Sequence, residues 1–186
     1  MSNKHIIVFV ALESELPREL VPPNVSVHYT GVGKVNAAIK ATNVIKDCIT
    51  YGSTPDDLII LNYGSAGSNT IPKGMLVDCR YFVQNDMVTP FCANHRTPFD
   101  ELIYPQLKEA AIEFGSGYVC RTQDKFEDNP AGIFDMEAYA IAKVCMRYGF
   151  NFTAYKYISD GGDSNDWEAN HAKGADLFLE QLKKML

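Results

Sequence analysis

Two hydrophobic periods divide the chain. Ile6-Ile7-Val8-Phe9-Val10 is a continuous β-branched and aromatic run, the pattern of a strand covered on both faces. Val25 to Tyr29 alternates more and leads through the glycine-bearing stretch Thr30 to Lys34 into Val35, Ala38, Ile39, Ala41, Val44, Ile45 and Cys48. That second spacing is helical, so the segment reads as strand, glycine turn, helix. Asp57 to Leu61 predicts another buried strand, ending in a glycine loop over Asn62 to Ser68, and Met75 to Val83 a further extended stretch. Gln84 to Gly117 is less regular, with a helix expected over Leu102 to Phe114. Asp135 to Tyr148 has strong helix-forming composition, Gly149 is a stop, and Phe152 to Ile158 is a strand. The chain closes on an amphipathic helix from about Ala172 to Leu186, with Leu177, Leu179, Leu182, Met185 and Leu186 on its apolar face.

Strands alternating with helices predict an α/β fold: a single domain over residues 1–186, with a central mixed β-sheet flanked by helices. The 186-residue length and 46% hydrophobic content suit one full-sized core. In such sheets ligands bind at the carboxyl ends of strands. Glu13 and Glu15 follow the first strand, Gly31 and Gly33 the second, Gly64 and Gly67 the third, and Asp160 the last.

Charge and cysteines narrow the partners. The net charge of −6 gives no electrostatic basis for binding nucleic acid or an anionic membrane surface. The five cysteines are widely spaced, without C-x-x-C or a histidine pair at zinc spacing, so neither a disulfide framework nor a metal site is expected. The apolar stretch Ile6 to Leu12 is too short to span a membrane and lacks a signal-peptide cleavage site. These features predict a soluble cytoplasmic protein acting on small molecules, with no cofactor.

Several motifs carry chemistry on one reading and plain structure on another. Thr30-Gly-Val-Gly-Lys-Val-Asn36 lacks the third glycine of a dinucleotide fingerprint and reads more readily as a tight turn; no P-loop is present. In Asn62-Tyr-Gly-Ser-Ala-Gly67, Gly64 and Gly67 permit positive φ and close backbone approach, and Ser65 offers a hydroxyl. Glu15 and Glu137 each suit either a reactive carboxylate or a first-turn acid complementing a helix dipole. Asp160, in Ile-Ser-Asp-Gly-Gly, suits either an acid or a turn residue. Asp163, Asn165 and Asp166 read as a solvated loop, His95 as the histidine to watch, and Trp167 as a packing residue.

In order, Ala11-Leu-Glu-Ser-Glu15, Thr30 to Ala38, Asn62 to Gly67, Lys73 to Val77, Asp124-Lys-Phe126, Asp135 to Cys145 and Ile158-Ser-Asp160 span nearly the whole chain. Together they resemble the nucleoside phosphorylase and nucleosidase superfamily, most of all its 5′-methylthioadenosine/S-adenosylhomocysteine nucleosidase branch. The resemblance implies that Glu15 activates the attacking water, Met136 and Glu137 contact the ribose, and Asp160 protonates purine N7. It implies that Phe126 stacks on the base, that Ser65, with Ala66 and Gly67, lies near the reacting sugar, and that Glu127 and Lys156 face the substrate. It further implies a homodimer whose neighbour helps close the pocket. Cleaving an N-glycosidic bond builds positive charge on the sugar while electrons move to the base, so an acid at N7 and carboxylates near the ribose favour the transition state. Asp160 must then be held as the neutral acid, which asks for partial burial.

The family's phosphorylases carry a glycine- and arginine-bearing phosphate segment where this chain has Glu13 and Glu15, so hydrolysis is expected, with Arg18 the one nearby cation. Three departures bear on the substrate: Tyr63 replaces a small hydroxyl residue, Lys156 a ribose-side arginine and Glu127 an apolar residue beside the base. The segments that wall the 5′ substituent are also cut back. The sequence therefore predicts a purine nucleoside N-glycosidase acting on a 5′-substituted nucleoside. A nucleosidase for futalosine or a deazapurine nucleoside, a phosphorylase and a non-catalytic nucleoside-binding module are the alternatives.

Overall fold

A computed structural model describes residues 4–104 and 111–186. Its strands are β1 (His5–Val10), β2 (Val25–Tyr29), β3 (Leu58–Gly67), β4 (Leu76–Gln84), β5 (Ala111–Glu113), β6 (Tyr118–Thr122), β7 (Ile133–Asp135) and β8 (Phe152–Asp160). The helices are α1 (Lys34–Thr50), α2 (Ala138–Tyr148), α3 (Ser164–Asn170) and α4 (Ala175–Lys183). All eight strands belong to one mixed sheet, in the order β2-β1-β3-β7-β6-β4-β5, and β8 bridges β3 and β4. That bridge closes the middle of the sheet on itself. β3 pairs parallel with β8, β8 antiparallel with β4, β4 parallel with β6, β6 parallel with β7, and β7 meets β3 at Phe134 and Gly67.

The apolar run of β1 is explained by its place between β2 and β3, both parallel to it. Ile7 and Phe9 pack toward Ala37, Ala41 and Ile45 of α1 and the alanine-rich face of α2. Ile6, Val8 and Val10 point the other way, toward Phe178 and Leu182 of α4. The alternation along one strand thus supplies two cores, one on each side of the sheet. At roughly 1.5–3 kcal/mol for each fully buried large aliphatic or Phe side chain, this strand is a main source of the fold's stability. α2 ends where Gly149 takes φ 77°, a left-handed C-cap that a residue with a Cβ adopts only at a cost.

Four expectations change. β3 does not stop at Leu61 but runs through the expected glycine loop to Gly67, because Gly64 to Ala66 stay in ladder register with Lys156 to Ile158. Neither Gly64 nor Gly67 is among the residues of positive φ. The helix expected over Leu102 to Phe114 is replaced at its two ends by a 3₁₀ turn over Asp100–Leu102 and by β5, which pairs antiparallel with β4. Residues 105–110 between them lie outside the described residues. Asp163 to Asp166 form the start of α3 rather than a loop, with the Asp163 carboxylate capping the N–H groups of Asn165 and Asp166. β6 and β7, too short to announce themselves, complete the closure. Among the described residues, no helix is long and apolar enough to cross a membrane.

Candidate active site

The ends of β1, β3, β7 and β8 converge on a cavity of about 210 Å³. Glu15, Ser65, Ala66, Gly67, Phe126, Met136, Glu137 and Asp160 all line it. Leu12, Val32 and Trp167 complete much of the wall. The three carboxylates that were individually ambiguous are therefore neighbours around one space, and all three are buried. Buried carboxylates need partners, and each has a distinct set.

Glu15 sits in the turn after β1. Its Oε1 accepts from the Ser65 amide at 2.8 Å and the Ser65 hydroxyl at 2.7 Å, and its Oε2 from the Leu12 amide at 3.3 Å. A Cβ on Gly64 would lie in ordinary contact with both charged groups, 3.5 Å from Glu15 Oε1 and 3.6 Å from Lys156 Nζ. Asp160, at the end of β8, accepts from the Gly162 amide at 2.9 Å and the Ser159 hydroxyl at 2.8 Å. Here Gly67 is the close neighbour: a Cβ there would stand 2.9 Å from Asp160 Oδ1, inside any normal contact. This close approach, not positive φ, accounts for Gly67.

Glu137 occupies the position before α2, but the side chain that caps that helix is Asp135. Asp135 Oδ2 accepts from the amides of Ala138 at 2.8 Å and Glu137 at 3.2 Å, and it pairs with Lys156 Nζ at 2.7 Å. Burial works against its charge, yet the Lys156 ammonium, the Thr122 hydroxyl and the Ala138 amide together hold its carboxyl below the ordinary value. Glu137 is thereby left free of capping duty. Its Oε1 accepts from the Gly33 amide at 2.8 Å, a contact that depends on Gly33 holding φ 94° at the head of α1. Burial, reinforced by the Asp135 charge and opposed by Lys156, pushes its carboxyl up to about 8.

That shift has a consequence for stability with a defined sign. A carboxyl whose folded value lies above its unfolded one binds more protons when folded. Its contribution is full below about pH 4.5, the ordinary value, and is lost as pH rises through about 8. Glu137→Gln removes this dependence, so the variant's melting temperature should gain on the wild type's steadily between those limits. A difference in melting temperature that stays constant across this pH range would show that folding does not raise the Glu137 carboxyl.

The aromatic wall is tethered to the same place. Asp124 accepts from the Lys34 amide at 2.9 Å, the Lys34 ammonium bridges Asp86 and Asp124, and the Asp86 carboxylate takes the Asp124 amide. This cluster fixes the loop bearing Phe126 to the head of α1, next to the Gly33–Glu137 contact. Phe126 itself is partly exposed, one face toward the cavity.

The remaining sequence candidates fall nearby or elsewhere. Glu127 stands in a small recess beside the main cavity together with Gly67, Phe126, Met136 and Asp160, its carboxylate accepting from Gln123 and Asn129. Lys156 is buried and is not among the residues that line the cavity, its ammonium being engaged by Asp135. Tyr63 faces the opposite core, stacked on Phe178 at 4.5 Å. His95 lies away from the cavity, with Nδ1 2.6 Å from the Asn85 carbonyl. Arg18 turns to the Val21 carbonyl at 3.1 Å. Trp167, read from sequence as packing, is in the wall and donates to Ser65 Oγ at 3.0 Å. Its signal was the indole N–H, which always seeks an acceptor when withdrawn from water. Among the described residues, no group of three or more metal-ligating side chains could hold an ion.

With this geometry in view, comparison with known proteins gives a consistent result. Residues 22–186 match the phosphorylase superfamily, and the chain belongs to that family. It is 29% identical over 201 residues to a 5′-methylthioadenosine/S-adenosylhomocysteine nucleosidase of a Shewanella species, covering 88% of this chain and 84% of that protein. A Bacillus pumilus protein of the same name is 29% identical, over 82% of this chain and 72% of its own length. Among solved structures, the futalosine hydrolase of Helicobacter pylori superimposes with a TM-score of 0.79 at 19% identity, covering 98% of this chain and 97% of that one. A mutant of the Helicobacter pylori nucleosidase with 5′-methylthioadenosine in its active site gives 0.79 at 19% identity, covering 100% and 98%. The shared architecture is that of the α/β sheet with flanking helices described above.

Proposed function

We propose that this protein is a purine nucleoside N-glycosidase, a hydrolase that releases the free base from a 5′-substituted nucleoside such as 5′-methylthioadenosine or S-adenosylhomocysteine. The observation that carries this reading is the convergence of Glu15, Glu137 and Asp160 on one cavity that also holds an aromatic wall at Phe126. In the proposed reaction the base lies against Phe126, and Asp160 gives a proton to N7 as the glycosidic bond lengthens. Glu137 and Met136 hold the ribose. Its partly developed positive charge faces Glu15, which takes a proton from the water attacking the anomeric carbon. The bond from sugar to base breaks, the bond from sugar to water oxygen forms, and the products are free base and free sugar.

Water rather than phosphate is favoured by the charge of the wall. Among the described residues, none of the side chains lining the cavity is Lys or Arg, Arg18 is turned to a backbone carbonyl, and the buried Lys156 is committed to Asp135. A phosphate dianion would meet Glu15 without compensation. The names of the curated relatives support the adenine-bearing substrates, and nothing in the wall favours a futalosine or deazapurine substrate over them. Adenine release from 5′-methylthioadenosine in phosphate-free buffer is the expected result; an absolute requirement for phosphate would overturn the hydrolytic assignment. Futalosine, inosine and a deazapurine nucleoside, run beside it, separate the neighbouring specificities.

The reading includes a single cytoplasmic domain that pairs with a second copy. Val35, 69% exposed, and Ile39, 57% exposed, stand on the outer face of α1, and Val32, just before them, is both exposed and part of the cavity wall. An apolar stripe running into a pocket is a surface that a neighbour would cover and complete. Sedimentation of the purified protein should give a dimer, and Val35→Glu should shift it toward monomer.

A further inference from the structure

We propose that Trp167 is a positioning residue: its indole N–H fixes the Ser65 hydroxyl on Glu15, so that a single carboxylate oxygen is left to face the attacking water. This rests on the hydrolytic reading above and adds to it a residue on α3 that plays no part in the proposed proton transfers.

The argument is one of donors and acceptors. An indole N–H can only donate, so at 3.0 Å the Ser65 oxygen must accept from it. A hydroxyl has one proton, and with Trp167 supplying the other contact that proton is free to lie on Glu15 Oε1, 2.7 Å away. The Ser65 amide donates to the same oxygen at 2.8 Å. Oε1 is thus held by two donors, while Oε2 has, among the described residues, only the long 3.3 Å contact with the Leu12 amide and keeps acceptor capacity for a water.

Trp167 is itself held. Its ring stacks on His171 with centroids 4.6 Å apart and planes 19° from parallel. His171 Nδ1 faces the carbonyls of Trp167 and Glu168, which assigns the ring proton to that nitrogen and leaves Nε2 to accept from the Ser14 hydroxyl at 3.1 Å. Ser14 adjoins Glu15. The indole is therefore braced against the same turn that carries the carboxylate, and a closed ring of contacts runs Glu15, Ser65, Trp167, His171, Ser14.

Trp167→Phe keeps an aromatic ring in the wall, though a smaller one, and deletes the donor. Without it the Ser65 hydroxyl can rotate, and Glu15 loses its fixed aim. The expected result is a fall of about 3- to 10-fold in kcat, the worth of one hydrogen bond, with KM nearly unchanged. Because Trp167 acts through Ser65, the same change made on a Ser65→Ala background should add almost nothing. An equal loss on both backgrounds, or a rise in KM with kcat intact, would mean the ring is only wall and would overturn the proposal. The contact also has a readout independent of turnover. Trp167 is the one tryptophan of the chain, so it gives a single indole N–H resonance. Ser65→Ala should move that resonance upfield and speed its exchange with solvent; an unmoved signal sinks the proposal. A wild-type protein that releases no base from any nucleoside tested would instead sink the hydrolytic reading, with the indole signal still deciding the contact.

Discussion

Asp160→Asn should lower the rate of base release by roughly 10²–10⁴-fold, the range for losing a general acid, while the protein stays folded and still binds adenine. The folded state tolerates the change because the neighbouring donors can be rearranged. Asn Oδ1 can take over the Gly162 amide contact. Its Nδ2 group then faces the Ser159 hydroxyl, which can turn its own proton to the Ala66 carbonyl, already 3.4 Å away. What the amide cannot do is deliver a proton to N7. Steady-state release of base, with adenine binding and melting temperature measured on the same preparation, tests the assignment. Turnover within threefold of wild type would end it.

Lys156→Met should destabilise the protein by roughly 3–5 kcal/mol, the cost of leaving a buried charge without its partner. At roughly 2–4 °C per kcal/mol for a chain of this size, the melting temperature falls by on the order of 10 °C. The orphan is Asp135, buried with a carboxylate that caps α2 and accepts from Thr122 Oγ1 at 2.5 Å. Adding Asp135→Asn should restore much of the loss, because Asn keeps an acceptor for the cap and no longer needs a cation. A melting temperature changed by less than about 2 °C in the single variant would show that the pair carries no such weight. The site should feel the change as well. Lys156 opposes the upward shift of the Glu137 carboxyl, so its removal drives that group further toward the neutral form.

Much of this was readable in the sequence wherever one physical signal dominated. β1 was legible because a strand covered on both faces leaves an unbroken apolar run, β8 because aromatic and β-branched residues recur through Phe152 to Ile158, and Gly149 because it follows a helix. Glu15, Glu137 and Asp160 could be named as candidates but not distinguished from caps. What separates them is spatial: Asp135, two residues before Glu137, takes the capping contacts. The glycines of β3 illustrate the opposite failure. Their composition suggested a loop, yet they lie in a strand, where Gly67 gives Asp160 room to approach, which no local pattern encodes. β6 and β7 were hidden because strands of five and three residues are set by ladder partners rather than by their own alternation. The surroundings of Trp167 and Lys156 were hidden for a shared reason. Each is defined by one long-range contact, to Ser65 and to Asp135, that sequence spacing does not reveal.

The bridging role of β8 also bears on when the protein can become competent during synthesis. β8 pairs with β3 from about 90 residues earlier, Phe152 beside Ile60, and with β4 from about 75 residues earlier, Cys79 beside Ala154. Contacts so distant along the chain cannot form until the ribosome has released most of it, and they slow closure through the entropy of large loops. A nascent chain ending before β8 would hold β3 with one ladder edge open and no Asp160. The same late strand that closes the sheet delivers the proposed acid, so the cavity and its chemistry arise in one folding step rather than in sequence.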